Sequence, residues 1–125
     1  MIDVKIDNKI PELFQKLEAA VSRFVQTTAE EMAGAARAAL TGPKSGRMYG
    51  RHRASAPGES PASRSGRYLA GIQVIQAGSL EAKVGASVPY APILENEMNR
   101  PLWNRTLAEI LPTLDGRLAD AISEI

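Results

Sequence analysis

Six cationic side chains fall within residues 43–70, where Glu59 is the one carboxylate. This segment carries a formal charge of +5, whereas the rest of the chain, with nine lysines and arginines against thirteen acids, carries −4. Guanidinium and ammonium groups at this density bind phosphates and carboxylates. The pattern therefore favours contact with DNA or with an acidic neighbouring subunit. The six cations are Lys44, Arg47, Arg51, Arg53, Arg64 and Arg67.

Other residue types give little support for catalysis. His52 is the only histidine, and the flanking charges of Arg51 and Arg53 disfavour its protonated form. Glu95 and Glu97 are two residues apart in a segment predicted to be extended, so they would point to opposite sides and chelate a metal poorly. The chain has no cysteine, which excludes thiolate metal sites and a cysteine nucleophile. We predict that it is not an enzyme and uses no cofactor or metal.

The basic segment has little apolar material with which to form a core. Residues 54–63 include no large apolar side chain, so they cannot offset their own ordering entropy by burial. We expect residues 42–70 to be an extended loop that takes a fixed shape only on neighbouring subunits, on DNA or on both. The alternative is a solvated loop with no partner.

Length and composition predict a single domain that spans residues 1–125. A hydrophobic content of 44% is typical of globular proteins, and aromatic residues at 5% leave the packing to aliphatic side chains and alanine. The absence of cysteine fits a reducing compartment. No apolar run is long enough to span a membrane, and the first residues lack the apolar stretch of a signal peptide. We expect a soluble domain found in the cytoplasm.

The first part of the chain changes from a strand pattern to a helix pattern. Residues 2–7 alternate between apolar and charged side chains, which predicts a short strand. A stripe from Leu13 to Ala39 then repeats every three or four residues, with Pro11 in the first turn and Gly42-Pro43 after the last. The second half of this helix is rich in alanine. These small side chains either let a sheet or a second subunit approach the helix closely, or they are present only because alanine has the highest helix propensity.

The second part of the chain predicts a hairpin and another helix. Residues 70–86 alternate on both sides of Gly78-Ser79, as in a β-hairpin. Pro89 and Pro92 bracket a segment predicted to be extended at the sheet edge. A helical stripe from residue 102 to 125 contains Pro112, which either kinks one helix or begins another. The order predicts an α+β fold: a small antiparallel sheet, formed by the N-terminal strand and the hairpin, packed by a long N-terminal helix and a C-terminal helix.

A series of short motifs runs through most of the chain in a fixed order. The first three are Ser45–Tyr49, Ala54–Ala62 and Ser65–Ile72. They are followed by Val84–Glu95, with its Val-Gly, Tyr-Ala and Glu positions, and by Arg100–Leu107, with an Arg-Pro entry into the last helix. In this order, the motifs resemble the head–tail joining proteins of long-tailed bacteriophages, which are small neck or tail-completion proteins also labelled minor tail components. The chain departs from that pattern at residues 96–99.

This resemblance implies a structural virion protein without catalytic activity. It would form a homo-oligomeric ring, sixfold or twelvefold, around the DNA channel at the junction of head and tail. The implied partners are a portal-side adaptor or stopper ring, the tail terminator or tail tube, and possible DNA in the channel; no membrane is implied. The implied location is the neck or tail of the virion, after assembly in the host cytoplasm.

Within that interpretation, the loop cations would contact DNA or the adjacent ring. Glu95 would pair with a basic residue across a subunit boundary, or it is an ordinary surface carboxylate. Trp103 would anchor an interface or cover the end of the core. Two other functions stay open. One is a stand-alone, non-specific DNA-binding module; the other is a small enzyme or toxin that depends on His52 or Glu95.

Overall fold

The fold is built along one long helix. In this computed structural model, which describes residues 10–62, 65–123 and 125, α1 runs from Ile10 to Thr41 and comprises 32 residues. A helix of that length extends about 48 Å. The acidic Glu12 lies in its first turn, where it meets the positive end of the helix dipole. The predicted N-terminal helix is confirmed.

An antiparallel hairpin packs against α1. Strand β3 (Ile72–Gly78) pairs with β4 (Glu81–Ala86), and Val74 lies opposite Val84 in the register. A register irregularity between Gln76 and Gly78 precedes the turn. Over the first four residues of each strand, covered side chains alternate with exposed ones, as expected when one face of a sheet is covered. The predicted hairpin is therefore confirmed, although its first two residues belong to a preceding helix.

The C-terminal part of the chain runs back along α1. Helix α4 (Trp103–Ile110) is followed by a 3₁₀ turn (Leu111–Thr113) and by α5 (Leu114–Ser123). The proline at position 112 lies in the 3₁₀ turn, so it marks a change of helix type between two helical segments. An ion pair between Arg117 and Glu31 joins α5 to α1.

The core contains few large side chains. Among the described residues, Leu40 and Leu102 are the largest that are fully buried. Alanines of α1 face Tyr68 and Ile72 within the same buried cluster. Small side chains therefore bring α1 close to the hairpin, which favours the close-approach interpretation of the alanine-rich half. The buried residues of α1 are Ala20, Ala29, Ala33, Ala36 and Leu40.

Several short elements were absent from the sequence prediction. They are β1 (Met48–Tyr49), β2 (His52–Arg53), α2 (Arg67–Gly71) and α3 (Ala91–Asn96). The extended segment predicted near Pro92 is wrong, because that proline lies in the first turn of α3, where its missing N–H costs no hydrogen bond. The predicted strand at residues 2–7 lies outside the described residues. The α+β class with a long N-terminal helix and a C-terminal helix is confirmed.

Candidate functional site

The basic segment begins with a lysine that turns back onto α1. The Lys44 ammonium donates a hydrogen bond to the carbonyl oxygen of Ala39, over 2.6 Å. Carbonyl groups in the last turn of a helix lack intrahelical partners and carry partial negative charge. Burial is the largest influence on Lys44 and lowers its pKa, an effect that Glu59 opposes and Arg105 reinforces. Lys44 therefore caps α1 and does not point its charge outward.

Glu59 closes the base of the segment. Its carboxylate oxygen Oε1 accepts hydrogen bonds from the backbone N–H groups of Ala56, at 2.6 Å, and of Ser45, at 3.1 Å. These two bonds, with the Ala56 bond the larger influence, lower the pKa of Glu59. The Glu59 carboxylate thus binds both ends of a loop, Ser45 and Ala56, which lie eleven positions apart in the sequence.

Between these contacts the chain forms a small hairpin. In β1 and β2, Met48 pairs with Arg53 and Tyr49 pairs with His52. The N–H of Gly46 donates to the Ala54 carbonyl, at 2.9 Å. A Cβ at Gly46 would lie 2.5 Å from that carbonyl oxygen, so the strands can approach this closely only because the residue is glycine.

Three of the cations lie on this hairpin. Arg47 stacks over the ring of Tyr49, with the guanidinium carbon 5.3 Å from the ring centroid. Arg53 donates to the Gly46 carbonyl at 2.9 Å. Arg51 lies in the exposed two-residue turn. All three side chains are exposed, so the hairpin presents a cationic surface at the end of α1.

The other predicted cations are not gathered at the same place. Arg67 begins α2, is exposed, and its backbone N–H donates to Ser65 Oγ at 3.3 Å. Arg64 lies outside the described residues. His52 is half-buried in its position opposite Tyr49, and the described part of the chain contains no group of three residues able to hold a metal ion.

The segment is also held against the body of the same subunit. The Gly58 N–H donates to the Asn99 carbonyl at 2.8 Å, and Arg105 donates to the Gly58 carbonyl at 3.2 Å. Ser60 is buried. The expectation that this loop has no structure of its own is therefore wrong for residues 44–62. Backbone and carboxylate hydrogen bonds supply the order that apolar burial does not supply.

Glu95 and Trp103 meet inside one subunit. Glu95 Oε1 accepts from the N–H groups of Leu102, at 2.9 Å, and Trp103, at 2.7 Å, and Oε2 accepts from Asn104 at 3.2 Å. These are the free N–H groups at the beginning of α4. Trp103 is partly buried against the core. The structure thus gives Glu95 an internal partner that the sequence analysis missed, while its predicted contact across a subunit boundary stays a prediction.

Sequence reasoning also missed Tyr68. Its side chain is 4% exposed, and within the described residues its hydroxyl has no partner in hydrogen-bond geometry. Burial raises the pKa of Tyr68 to about 12, with the Trp103 side chain acting in the opposite direction. Its ring lies edge-on to Tyr90, with 6.0 Å between centroids. The sequence signal was an isolated tyrosine at the edge of a polar segment, which does not distinguish a buried ring from an exposed one.

Large apolar side chains are exposed at both ends of α1. At its beginning Leu13 and Phe14 are 55% and 64% exposed. Beyond its end Met48 and Tyr49, on the β1–β2 hairpin, are 44% and 51% exposed. None of the four was singled out from the sequence as a site residue. An amphipathic helix pattern does not tell which residues of α1 the subunit itself covers, and the hairpin that carries Met48 and Tyr49 was not predicted.

No helix in the described part of the chain is both long and apolar enough to cross a membrane. Comparison with models of known protein families, with curated proteins and with solved structures finds no match to this chain.

Proposed function

We propose that this chain is a structural virion protein of the bacteriophage neck, which joins head and tail as a ring of identical subunits around the DNA channel. The observation that carries the proposal is the exposure of large apolar side chains at both ends of one subunit. Phe14 at the beginning of α1 and Tyr49 beyond its end are both more than half exposed. Apolar side chains gathered at a surface mark places that a partner covers.

The size of the core supports an assembly subunit. Leu40 and Leu102 are the largest fully buried side chains in the described residues, and alanine supplies much of the remainder. Each large aliphatic side chain that becomes buried contributes about 1.5–3 kcal/mol, whereas alanine contributes little. A subunit with such a core gains stability when neighbours bind the folded state.

The resemblance to head–tail joining proteins favours a ring in the phage neck over other kinds of assembly. Its motifs in the loop form the β1–β2 hairpin and its base, including Gly46 and Glu59. Its later motif contains Glu95, which caps α4. The proposed partners are further copies of the chain in a sixfold or twelvefold ring, a portal-side adaptor or stopper ring, and the tail terminator or tail tube.

The basic segment does not need another macromolecule for its shape, since hydrogen bonds within the subunit order residues 44–62. The case therefore depends on the exposed apolar ends and on the resemblance, and not on an unstructured arm.

Deletion of the gene from the particle that encodes it tests the proposal. We expect DNA-filled heads and separate tails, and restoration of infectious particles when the wild-type gene is supplied in trans. Phe14→Asp should fail to restore them, because it places a charge in the covered surface. Gln15→Asp, at the next and exposed helix position, is the matched control and should restore them. Normal tailed, infectious particles without the gene would overturn the proposal.

A second candidate function is non-specific binding to duplex DNA. It is favoured by Arg47, Arg51 and Arg53, which lie exposed on one hairpin with no carboxylate between residues 47 and 58. Each cation that neutralises a phosphate releases counterions, so affinity should fall steeply as salt is added. Aromatic side chains on the hairpin are few, which disfavours a stacking platform for single strands.

A salt titration of the purified chain with duplex DNA separates the two candidates. A neck subunit should bind weakly, with little change between wild type and a variant with glutamine at these three positions. Tight binding that weakens steeply with salt, and that the triple variant loses, would favour the DNA-binding module.

A further inference from the structure

The beginning of α1 extends beyond the β3–β4 hairpin and α5, two of the described elements that pack on this helix. The turn of the β3–β4 hairpin reaches α1 at Glu18, where Ser79 Oγ donates to the carboxylate over 3.0 Å. The last turn of α5 lies beside Ala20, because Ala20 and Ala121 line the same groove. The helix residues before Glu18 therefore project past both neighbours. Leu13 and Phe14 lie on this projecting part and are exposed, as are all helix residues from 10 to 16.

Other exposed apolar side chains are sequence neighbours of the residues that reach α1 there. Leu80, next to Ser79 in the hairpin turn, is 54% exposed, and Ile122 in the last turn of α5 is 42% exposed. Phe14 lies one helical turn before Glu18 and so shares its face of the helix. We call Leu13, Phe14, Leu80 and Ile122 the α1 patch. Its members come from α1, the β3–β4 turn and α5, which meet at Glu18 and Ala20, and exposed apolar patches mark places that a partner covers.

The β1–β2 hairpin carries the second exposed cluster, at the opposite end of the subunit. It follows α1 and is joined to that end of the helix through the contact between Lys44 and Ala39. Met48 and Tyr49 supply exposed apolar area on it. Since α1 extends about 48 Å, the hairpin of one copy cannot reach the α1 patch of the same copy.

The charges around the two clusters are opposite in sign. Among the described residues of the first turns of α1 and of the hairpin turn, the carboxylates are Glu12, Glu18 and Glu81, and the ammonium of Lys16 pairs with Glu12 over 3.5 Å. The hairpin carries the guanidinium groups of Arg47, Arg51 and Arg53 and no acid. Opposite charges around apolar centres steer association and fix the relative orientation of two surfaces.

We infer that the β1–β2 hairpin of one copy covers the α1 patch of the next copy. The contact is heterologous, since it joins two different surfaces, and repetition of such a contact generates a ring when the rotation between copies closes. Met48 and Tyr49 lie against Leu13 and Phe14, and the hairpin arginines face the glutamates. This inference rests on the proposed assembly and adds to it which surfaces meet.

Cysteine cross-linking tests the contact directly, because the natural chain has no cysteine. Phe14→Cys and Tyr49→Cys are prepared as separate proteins, one with a small tag so that the mixed dimer has its own mass. The two are mixed, and disulfides are formed by mild oxidation. Linkage requires Cα atoms within about 7 Å of each other. Thr27→Cys, at an exposed position in the middle of α1, replaces Phe14→Cys in the matched control.

The inference predicts that the Phe14→Cys and Tyr49→Cys proteins give roughly ten-fold or more mixed dimer than the control pair, because docking raises their effective concentration. Added salt should reduce the yield. Equal yields for the two pairs, or no mixed dimer, would overturn the inference. Sedimentation of the mixture before oxidation separates two kinds of failure. Oligomers without the mixed link overturn this contact alone, whereas monomers throughout also contradict the proposed assembly.

Discussion

The Glu95 carboxylate accepts a hydrogen bond from the backbone N–H of Trp103 over 2.7 Å, and this bond joins the end of α3 to the beginning of α4. Two further N–H groups at the beginning of α4 donate to the same carboxylate. In this way one side chain satisfies donors that have no partner within the helix, and its negative charge meets the positive end of the helix dipole.

Removal of this carboxylate should destabilise the fold. We expect Glu95→Ala to lower the free energy of unfolding by roughly 1–3 kcal/mol, since hydrogen bonds to a charged group are lost together. Glu95→Gln should lower the free energy of unfolding by less, because the amide oxygen still accepts hydrogen bonds. Urea denaturation measures both. Glu97→Ala, two residues later and exposed, is the control and should change stability by no more than about 0.5 kcal/mol. Equal stability of the Glu95→Ala variant and the wild-type protein would contradict the assigned cap.

The hairpin β1–β2 should depend on the glycine at its base. A Cβ at Gly46 would lie within 2.7 Å of three backbone atoms of Ala54 and Ser55, so Gly46→Ala should separate the strands. The expected result is faster trypsin cleavage after the arginines of the hairpin, measured by mass spectrometry. Gly85→Ala is the matched control, because a Cβ there meets nothing within 4 Å. Cleavage at the wild-type rate in both variants would show that the strands do not approach this closely.

The hydrogen bonds that Glu59 accepts at the base of the loop should weaken as the pH falls. Hydrogen bonds from Ala56 and Ser45 lower the pKa of this carboxyl in the folded state. The stabilisation is therefore fully present above the unfolded pKa, roughly 4.3, and is lost as pH falls through the lower folded pKa. The NMR shifts of the two amide protons should follow a titration with its midpoint below about 4.3. Glu59→Gln should abolish that titration. A midpoint at or above the ordinary value would mean that the loop base is open in solution.

Tyr68 should ionise only at strongly alkaline pH. Burial raises its pKa to about 12, so its neutral form persists in the folded state after an unfolded chain would lose the proton. Stability should accordingly fall as pH rises from about 10, the ordinary tyrosine value, through the folded pKa. Ultraviolet titration of the three tyrosines should show one that ionises with a midpoint near pH 12, and Tyr68→Phe should remove this ionisation. Three ordinary midpoints would contradict the burial of this ring.

The sequence was sufficient to predict the elements whose hydrophobic pattern repeats. Helix α1 and the β3–β4 hairpin follow their periods of 3.6 and 2, and their bounds lie close to the predicted ones. Pro112 marks the change between α4 and α5 for the same kind of reason, because proline lacks an N–H donor. Periodicity is a local property, and these elements carry it in their own residues.

The sequence was not sufficient where order comes from polar contacts between distant residues. Gly58 is held by Asn99 and Arg105, more than forty positions away, and composition gives no sign of such a pairing. Glu95 likewise meets α4 across a turn that departs from the resembled family pattern. Nor can a stripe of apolar residues show that Leu13 and Phe14 are exposed while Ala33 and Leu40 of the same helix are buried. Such properties depend on the relative positions of elements.

A density map of the assembled particle, fine enough to trace residues 43–62, tests the central claim most directly. We predict a ring of copies of this chain between head and tail, with the β1–β2 hairpin of each copy on Leu13 and Phe14 of its neighbour. A head–tail junction built without this chain would contradict it.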